Sequence, residues 1–353
     1  KTSFVGFALN TKTSFVGFGF GKTKTFAEKY LPVYNDQMKK KVLITGGAGF
    51  IGASIVTKLI HEGYAVKVLD NLQRGKLSKL NGVKGEFEFI KCDIRDTKKV
   101  VKASTDCTSI IHLAYVNGTK FFYSNPDMVL DIGINGMISV VEACKLENIE
   151  ELFLASSSEV YQNPTIVPTP EEIPLVIPDP YNPRFSYGGG KILSELMAIH
   201  VASKTLKKTV IFRPHNIYGP DMGTEHAVPE LILKMARIGN KKTKFKIQGN
   251  GSETRSYMYI DDFAAAFFKV FTKAKNLTTF NIGNEDEISS HDLTKKIAKV
   301  LDKKIEIVTG KLRAGSTPRR CPDISKIKKL GYRQNVSLEN GLIKTAEWYI
   351  NSL

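Results

Sequence analysis

The sequence predicts an α/β fold, in which helices cover both faces of a doubly wound parallel sheet. Short apolar runs alternate with amphipathic segments from Lys41 onward, which is the pattern of this class. The predicted strands are 42–45, 65–69, 87–90, 109–113, 152–155 and 209–212. The predicted helices between them are 51–61, 96–103, 126–147 and 185–205. Because ligands bind at the carboxyl ends of the strands in such sheets, the residues after each strand form the candidate site.

A glycine-rich turn, TGGAGFIG at 45–52, joins the first predicted strand to the first helix. Its three spaced glycines allow a tight turn, close approach of a pyrophosphate and close packing of the helix on the strand. An ordinary strand-to-helix turn is the alternative interpretation. The strand–helix–strand context favours a Rossmann-like dinucleotide cradle. Its residues are Gly46, Gly49, Phe50, Ile51 and Gly52.

The second predicted strand ends in Asp70, close to the ~20-residue offset at which a carboxylate accepts the ribose hydroxyls of NAD. An acid at this place repels the 2′-phosphate of NADP, so the sequence predicts NAD as the cofactor. Arg74 lies close enough to weaken that preference. The other residues predicted to bind the cofactor follow the second, third and fourth strands. They are Asn71, Asp93, Ile94, Leu113 and Ala114, with Asp93 and Ile94 expected to bracket the adenine.

A serine-rich strand end, Ser156-Ser157-Ser158-Glu159, precedes the run Tyr187-Gly188-Gly189-Gly190-Lys191. A tyrosine and a lysine at positions i and i+4 share one helix face. The ammonium of Lys191 is therefore expected to lower the pKa of Tyr187 toward neutrality, which would make the phenol a general base. A surface Tyr/Lys pair is the alternative. Three glycines destabilise a helix by about 1 kcal/mol each relative to alanine, so close approach of a sugar or nicotinamide is expected there.

The composition excludes several other classes of protein. The chain has 353 residues, 42% apolar and 24% charged, enough for a large core. No stretch is long and apolar enough to span a membrane, and the scattered cysteines and histidines predict no metal site and a reducing, cytoplasmic compartment. A net charge of +16 raises RNA or membrane-surface binding as a rival function. The lysines are dispersed over helix faces, which favours a solvated surface and no nucleic-acid partner.

Three regions are predicted along the chain. Residues 1–37 contain TSFVGF twice and no acid before Glu28, and form an extension of unknown role, with a targeting leader as the alternative. Residues 38–213 form the NAD-binding domain. Residues 214–353 form a smaller C-terminal α/β substrate-binding lobe, with some elements returning to the sheet. Its predicted elements are helices 229–239, 261–273, 289–302 and 337–350 and strands 278–282 and 305–308.

Taken together with RPHNIYGP at 213–220 and RSYMYIDD at 255–262, these motifs resemble the extended short-chain dehydrogenase/reductase family. This family contains NAD-dependent nucleotide-sugar epimerases, dehydratases and decarboxylases. The resemblance extends from Met38 to the C-terminus, and it is specific for the family and not for the substrate.

The resemblance implies roles for individual residues. Tyr187 matches the catalytic tyrosine, Lys191 the lysine that also binds the nicotinamide ribose, and Ser157 the residue that binds the reacting sugar hydroxyl. Asn135 matches a position that supports the active site, and Ser158 is placed at the sugar. The residues implied to bind the nucleotide diphosphate are Asn216, Arg255 and Arg313, with Arg320 as an alternative to Arg313.

Glu159 determines which reaction the resemblance implies. Proton removal by Tyr187 and hydride transfer to NAD give a keto sugar, and return of the hydride to the other face gives the C4 epimer. The Ser157-Ser158-Glu159 run also resembles UDP-glucuronate decarboxylases, whereas a 4,6-dehydratase would carry Asp at position 158. The favoured prediction is C4 epimerisation of a UDP-hexose, followed by decarboxylase and then dehydratase.

Other features leave further interpretations open. A non-catalytic NAD-binding regulator is the alternative outside the enzymes. Glu225 and His226 lie in a loop expected to face the sugar, whereas Trp348 is expected to pack in the last helix. Wide apolar faces on helices 126–147 and 185–205 predict a homodimer; simple coverage of the sheet is the alternative.

Overall fold

The computed structural model describes residues 40–239, 241–312 and 315–353. The predicted extension, residues 1–37, lies outside them. The strands are β1 Lys41–Thr45, β2 Ala65–Asp70, β3 Phe87–Lys91, β4 Ser109–His112, β5 Glu151–Ala155, β6 Lys208–Pro214, β7 Ile217–Tyr218, β8 Thr243–Lys246, β9 Thr254–Ser256, β10 Met258–Tyr259, β11 Thr278–Ile282, β12 Glu287–Ser289, β13 Ile305–Val308 and β14 Arg319–Arg320. The helices are α1 Phe50–His61, α2 Thr97–Ser104, α3 Thr119–Ser124, α4 Pro126–Leu146, α5 Ser186–His200, α6 Ala227–Ala236, α7 Ile260–Lys273, α8 Ser290–Val300, α9 Ser325–Lys329 and α10 Leu338–Asn351.

Seven parallel strands form the central sheet, in the order β11-β6-β5-β4-β1-β2-β3. β1 and β4 pair with each other at the centre of the sheet. The order of the strands reverses between them, since β2 and β3 follow on one side and β5 and β6 on the other. After β1 the chain passes to the face covered by α1, and after β4 it passes to the face covered by α4. A crevice therefore forms at the carboxyl ends of these two strands, the place where ligands bind in doubly wound sheets. The predicted fold class is confirmed. The six strands predicted between residues 42 and 212 belong to this sheet, and so does the predicted strand 278–282.

Apolar side chains cover both faces of the sheet. On one face α1 and α7 pack over residues such as Val42, Ile44 and Phe212. On the other face α2, α4 and α5 pack over Leu43 and Ile110. Because successive residues of a strand point to opposite faces, β1 supplies both cores, and this explains its uninterrupted apolar sequence.

The chain after β6 supplies three small sheets and one edge strand of the main sheet. β11 pairs with β6 at the edge of the main sheet. β10 pairs with β7, β13 with β8, and β9 lies between β12 and β14. These pairings bring Asn216, Arg255 and Arg320 to the same side of the molecule as the strand ends. Among the described residues, no helix is long and apolar enough to cross a membrane.

One predicted helix is too long. The prediction placed a helix over 185–205, whereas α5 ends at His200 and a separate 3₁₀ turn, Ala202–Lys204, follows. Val201 has φ −115° and ψ −61°, so its φ departs by about 50° from the regular helical value, and it interrupts the regular ladder. The end of the helix is set by this local conformation, which the apolar periodicity does not encode.

Candidate functional site

A cavity of about 980 Å³ opens at the carboxyl ends of the central strands. The glycine turn after β1 and the residues after β2 and β4 form one side of it. The serine run after β5 and the first turn of α5 form its inner wall, and the 214–226 loop and the end of α10 complete it. This is the place predicted for the cofactor and the reacting group.

The glycine turn has the geometry of a phosphate cradle. Gly46 adopts φ +72°, and a Cβ at this position would lie 2.8 Å from the amide nitrogen of Ala114. A Cβ on Gly52 would overlap the carbonyl oxygen of Gly46. No side chain caps the N-terminus of α1 at Gly49, so its first N–H groups remain available to an anion. Gly46, Gly49, Phe50, Ile51 and Gly52 all line the cavity.

Asp70 lies at the end of β2 with its carboxylate inside the protein. It accepts hydrogen bonds from the amides of Ala48 (3.1 Å) and Leu72 (2.8 Å), and only 7% of the residue is exposed. Burial raises the pKa of Asp70, and the two backbone hydrogen bonds oppose this effect. Asp70 and Asn71 both line the cavity beside the cradle, where a ribose would bind.

The two residues predicted to bracket the adenine, Asp93 and Ile94, differ in position. Ile94 lines the cavity, but Asp93 is not among its lining residues. The Asp93 carboxylate accepts two hydrogen bonds from the Arg95 guanidinium (2.9 and 2.8 Å), one from the Arg95 amide (2.9 Å) and one from Asn71 (3.3 Å). Arg95 lowers the pKa of Asp93 to about 2. The carboxylate predicted to bind the adenine is therefore already paired with Arg95. The prediction did not take this neighbouring arginine into account.

Leu113 and Ala114 are held against the cradle by Thr45. Their amides donate to the Thr45 hydroxyl oxygen at 3.2 and 3.3 Å, and that hydroxyl also contacts His112 Nδ1 at 2.8 Å. Burial lowers the pKa of His112 to about 3, so its ring is neutral. Both Leu113 and Ala114 line the cavity, as predicted from their place after β4.

Ser157, Tyr187 and Lys191 meet on the inner wall of the cavity. The Ser157 side chain accepts the amide hydrogen of Glu159 (3.2 Å) and also hydrogen-bonds Tyr187. Lys191 Nζ donates to the carbonyl oxygen of Ala155 (2.6 Å), which ties α5 to the end of β5. The structure thus brings together the three residues that were inferred to be catalytic.

The prediction that Lys191 lowers the pKa of Tyr187 toward neutrality is wrong. Burial raises the pKa of its phenol above the ordinary value, and the hydrogen bond with Ser157 only partly opposes this. The Lys191 ammonium lies 5.9 Å from the centre of the Tyr187 ring but 4.1 Å from the centre of the Tyr115 ring. Because the ammonium is directed to Tyr115 and to a backbone carbonyl, helical spacing alone does not place it at the phenol.

Lys191 itself is expected to give a measurable pH effect. Burial lowers the pKa of Lys191 to about 7, far below its ordinary value of about 10.4. Between these values the unfolded chain binds more protons than the folded one, so stability rises with pH. We expect the free energy of unfolding of the wild type, minus that of Lys191→Met, to increase from pH 7 to pH 9 in urea titrations. A difference that is constant with pH would contradict this.

The glycines of α5 accommodate the protein's own side chains, and not the sugar or nicotinamide that was predicted. The Tyr115 hydroxyl occupies a slot between Gly133 of α4 and Gly190, where a Cβ on either glycine would overlap it. A Cβ on Gly188 would lie 2.7 Å from Gln162 Nε2, and one on Gly189 would lie 3.2 Å from Ile177 Cδ1. These contacts come from distant segments, which the sequence pattern could not identify.

Two aromatic side chains fix the Tyr187 ring. Phe122 stacks on it with ring centres 4.7 Å apart, and Tyr115 packs edge-on at 5.2 Å. Neither residue was predicted to belong to the site. The only sequence signal for Tyr115 was its place directly after Ala114 at the end of β4.

Glu159 is bound by arginines from two other segments. Arg320 of β14 donates to its carboxylate at 2.7 Å, and Arg184 lies 3.8 Å away. Burial raises the pKa of Glu159, but the arginines, led by Arg320, outweigh burial and hold it below its ordinary value. The carboxylate is therefore ionised and paired with Arg320, and both residues line the cavity.

The remaining predicted substrate residues occupy different positions. Ser158 and Asn216 line the cavity. Arg255 is not among the lining residues and donates to the carbonyl oxygens of Thr254 (2.7 Å) and Thr317 (2.5 Å). Arg313 lies outside the described residues. Of the arginines proposed for the diphosphate, the structure places Arg320 at the cavity.

Several other predicted residues can be located. Glu225, His226 and Trp348 line the cavity. Trp348 also packs against the core, as predicted. Asn135 is exposed on α4 and donates to Asp131, so it does not support the active site as inferred. Within residues 40–239, 241–312 and 315–353, no cluster of His, Cys, Asp and Glu could hold a metal ion.

The profile of the NAD dependent epimerase/dehydratase family matches residues 42–283. The chain belongs to this family. It is an enzyme of the NAD-dependent epimerase/dehydratase type, and NAD is its cofactor. The cradle, the carboxylate of Asp70 and the walls formed by Leu113 and Ala114 fit a bound dinucleotide.

Similar proteins in this family carry out different reactions. A UDP-glucose 4-epimerase of Mycolicibacterium smegmatis is 30% identical over 317 residues, covering 88% of this chain and 99% of that protein. A UDP-N-acetyl-alpha-D-glucosaminuronate decarboxylase of Bacillus cytotoxicus is 28% identical over 319 residues, 88% of this chain and 98% of that protein. The UDP-glucose 4-epimerase of Thermotoga maritima, solved with UDP-glucose, has a TM-score of 0.79 at 29% identity, covering 88% and 99% of the two chains.

Proposed function

We propose that this enzyme inverts carbon 4 of a nucleotide-linked hexose, with a UDP-sugar as the favoured substrate. The proposal is supported by the gathering of Ser157, Tyr187 and Lys191 beside the NAD cradle. It is also supported by the similarity to UDP-glucose 4-epimerases from two organisms. The 214–226 loop and β14 supply the remaining walls of the cavity, where the nucleotide and sugar would bind.

The ion pair between Glu159 and Arg320 is the observation that favours epimerisation over loss of water. Loss of water needs an acid and a base in addition to the tyrosine, and Glu159 was the candidate for that work. Its carboxylate is paired with Arg320 and its pKa is lowered, so it is a weak proton acceptor at neutral pH. Tyr187 and Ser157 are then the groups left to transfer a proton, and both would act at one sugar carbon, as epimerisation requires.

The residues act on the sugar as follows. The cofactor, when bound, would supply a hydride acceptor that returns the hydride to the opposite face of the same sugar carbon. Ser157 holds the reacting hydroxyl, and the Tyr187 phenol exchanges its proton in both directions. Lys191 lies one helix turn from Tyr187, with its ammonium 5.9 Å from the ring centre, and would hold the nicotinamide ribose. Phe122 and Tyr115 hold the phenol ring in place, so its oxygen stays at the reacting oxygen of the sugar while either face of the keto sugar is presented to the hydride.

A decarboxylase is the second candidate. Arg320 reaches the cavity beside Ser158 and Glu159, and its guanidinium could bind the carboxylate of a uronic acid. The similarity to the Bacillus cytotoxicus decarboxylase supports this alternative. A dehydratase is third, because position 158 is serine.

The test is a panel of substrates. The purified enzyme with NAD⁺ is incubated with UDP-, GDP-, CDP- and dTDP-hexoses and with UDP-glucuronate, and the products are followed by mass and by NMR. An isomer of unchanged mass with an altered coupling at carbon 4 supports the epimerase. Loss of carbon dioxide or of water would refute it in favour of the second or third candidate. An absence of any turnover, with NAD bound, would favour the regulator.

We also propose a homodimer formed through α4 and α5. Ile138, Leu193 and Leu196 expose 46%, 38% and 48% of their surfaces on these two helices. Burying such side chains against a second copy is favourable by about 25 cal/mol per Å². We expect the wild type to sediment as a dimer and Leu196→Glu as a monomer. Leu277→Glu, at an exposed leucine before β11, is the matched control and should stay dimeric; a monomeric wild type would contradict the proposal.

A further inference from the structure

Arg74 lies at the edge of the cavity where the cofactor ribose is expected. The loop after β2 wraps around the Asp70 carboxylate: Leu72 donates to it, and a Cβ on Gly75 would lie 2.8 Å from both of its oxygens. Asp70, Asn71 and Arg74 line the same part of the cavity. Arg74 therefore follows Asp70, the residue expected to accept the ribose hydroxyls, by four positions.

An arginine at this place and an aspartate at the strand end favour different cofactors. The aspartate accepts the 2′-hydroxyl of NAD, whereas an arginine nearby accommodates the 2′-phosphate of NADP. Guanidinium binds phosphate through two parallel hydrogen bonds, which makes it effective for this purpose. A free Arg74 would thus oppose the selection made by Asp70.

Arg74 is not free in the structure. Its guanidinium forms an ion pair and hydrogen bond with Glu225, which belongs to the 214–226 loop. The guanidinium also stacks on the Phe121 ring, with 4.7 Å between its carbon and the ring centre. Gly118 makes room for the pair: its φ is +129°, and a Cβ there would lie 3.3 Å from Glu225 Oε1 and 3.4 Å from Arg74 Nη1.

The same loop neutralises a second cation. Asp221 pairs with Lys79 at 2.5 Å, so the loop places two carboxylates against two of the basic residues that follow β2. Lys76 also lines the cavity and could contribute to phosphate binding. The contribution of Arg74 must therefore be measured separately from that of the other cations.

From these contacts we propose that Glu225 determines cofactor preference, by holding Arg74 away from the 2′-phosphate that distinguishes NADP from NAD. Asp70 then acts on the ribose without competition from Arg74. This inference concerns the cofactor alone and does not depend on which sugar reaction the enzyme performs. Glu225 is a positioning residue in this account, because it acts through Arg74.

The test measures binding of NAD⁺ and NADP⁺ by calorimetry, on protein freed of co-purified nucleotide and without any sugar. We expect Glu225→Gln to increase NADP⁺ affinity about tenfold or more, the effect of one new charge-assisted hydrogen bond, and to leave NAD⁺ affinity nearly unchanged. The double variant Glu225→Gln/Arg74→Ala should lose this gain. Arg74→Ala alone should change NADP⁺ affinity little, because Glu225 already neutralises the guanidinium.

Asp221→Asn is the matched control, since it removes the other carboxylate of the loop and leaves Arg74 paired. It should not reproduce the gain. An unchanged NADP⁺ affinity in folded Glu225→Gln protein would overturn the proposal. An equal change for both cofactors would also overturn it, because the pair would then fasten the loop without selecting between them. A gain that persists in the double variant would overturn the role of Arg74, because the negative charge of Glu225 would then act on the phosphate directly.

Discussion

Tyr187→Phe is expected to lower turnover by about 10²–10⁴-fold, which is the contribution of one positioned acid–base group. The substitution removes only the phenol oxygen that exchanges a proton with the sugar. The ring remains stacked on Phe122 and packed edge-on against Tyr115, so the fold of α5 is preserved. The measurement is the initial rate with the substrate that the panel identifies.

Tyr115→Phe is the matched control for this experiment. Tyr115 belongs to the same aromatic cluster, and its hydroxyl has no hydrogen-bond partner among the residues described. It should keep most of the turnover, and both variants should bind NAD⁺ as the wild type does. If Tyr187→Phe stays active, the assignment of the base is wrong. If both variants lose activity equally, the cluster acts through packing and not through a proton.

Gly190→Ala is expected to destabilise the protein by about 1–3 kcal/mol, the usual cost of overpacking. The added methyl group would overlap the Tyr115 hydroxyl, while the next atom of that ring, Cζ, would remain 3.4 Å away. Removing the hydroxyl should therefore restore stability. The double variant Gly190→Ala/Tyr115→Phe should equal or exceed the wild type, since alanine is the better helix former by about 1 kcal/mol.

Gly133→Ala separates this explanation from a general intolerance of the cluster. A Cβ on Gly133 would overlap Cζ of Tyr115 as well as the hydroxyl, so Tyr115→Phe cannot rescue it. Denaturant titrations of Gly190→Ala and Gly133→Ala, each with and without Tyr115→Phe, give the free energies of unfolding. Rescue at both glycines, or at neither, would show that the slot for Tyr115 is not the reason for these glycines.

The cofactor half of the site was largely predictable because its chemistry is local. The turn at 45–52, Asp70, and the Leu113-Ala114 pair each follow directly after a strand, and parallel strands end at one edge of the sheet. Strand type and position were therefore enough to bring them together. Tyr187 and Lys191 were found for the same reason, since one turn of helix separates them.

The parts that sequence analysis missed depend on contacts between distant segments. Glu159 and Arg320 are 161 positions apart, and Arg74 and Glu225 are 151 apart. Periodicity carries no information on such pairs. The pKa of Tyr187 was wrong for a related reason, because burial depends on how Phe122 and Tyr115 enclose the ring. The assignment of Asp93 overlooked Arg95, although this residue is only two positions away.

The most direct test of the proposed reaction uses the preferred nucleotide hexose with deuterium at carbon 4. Proton exchange by Tyr187, with oxidation and reduction at one carbon, predicts that the C4 epimer forms at unchanged mass and keeps its deuterium at carbon 4 in ordinary water. A product that has lost carbon dioxide or water, or an epimer whose deuterium at carbon 4 has been replaced by solvent hydrogen, would contradict the account.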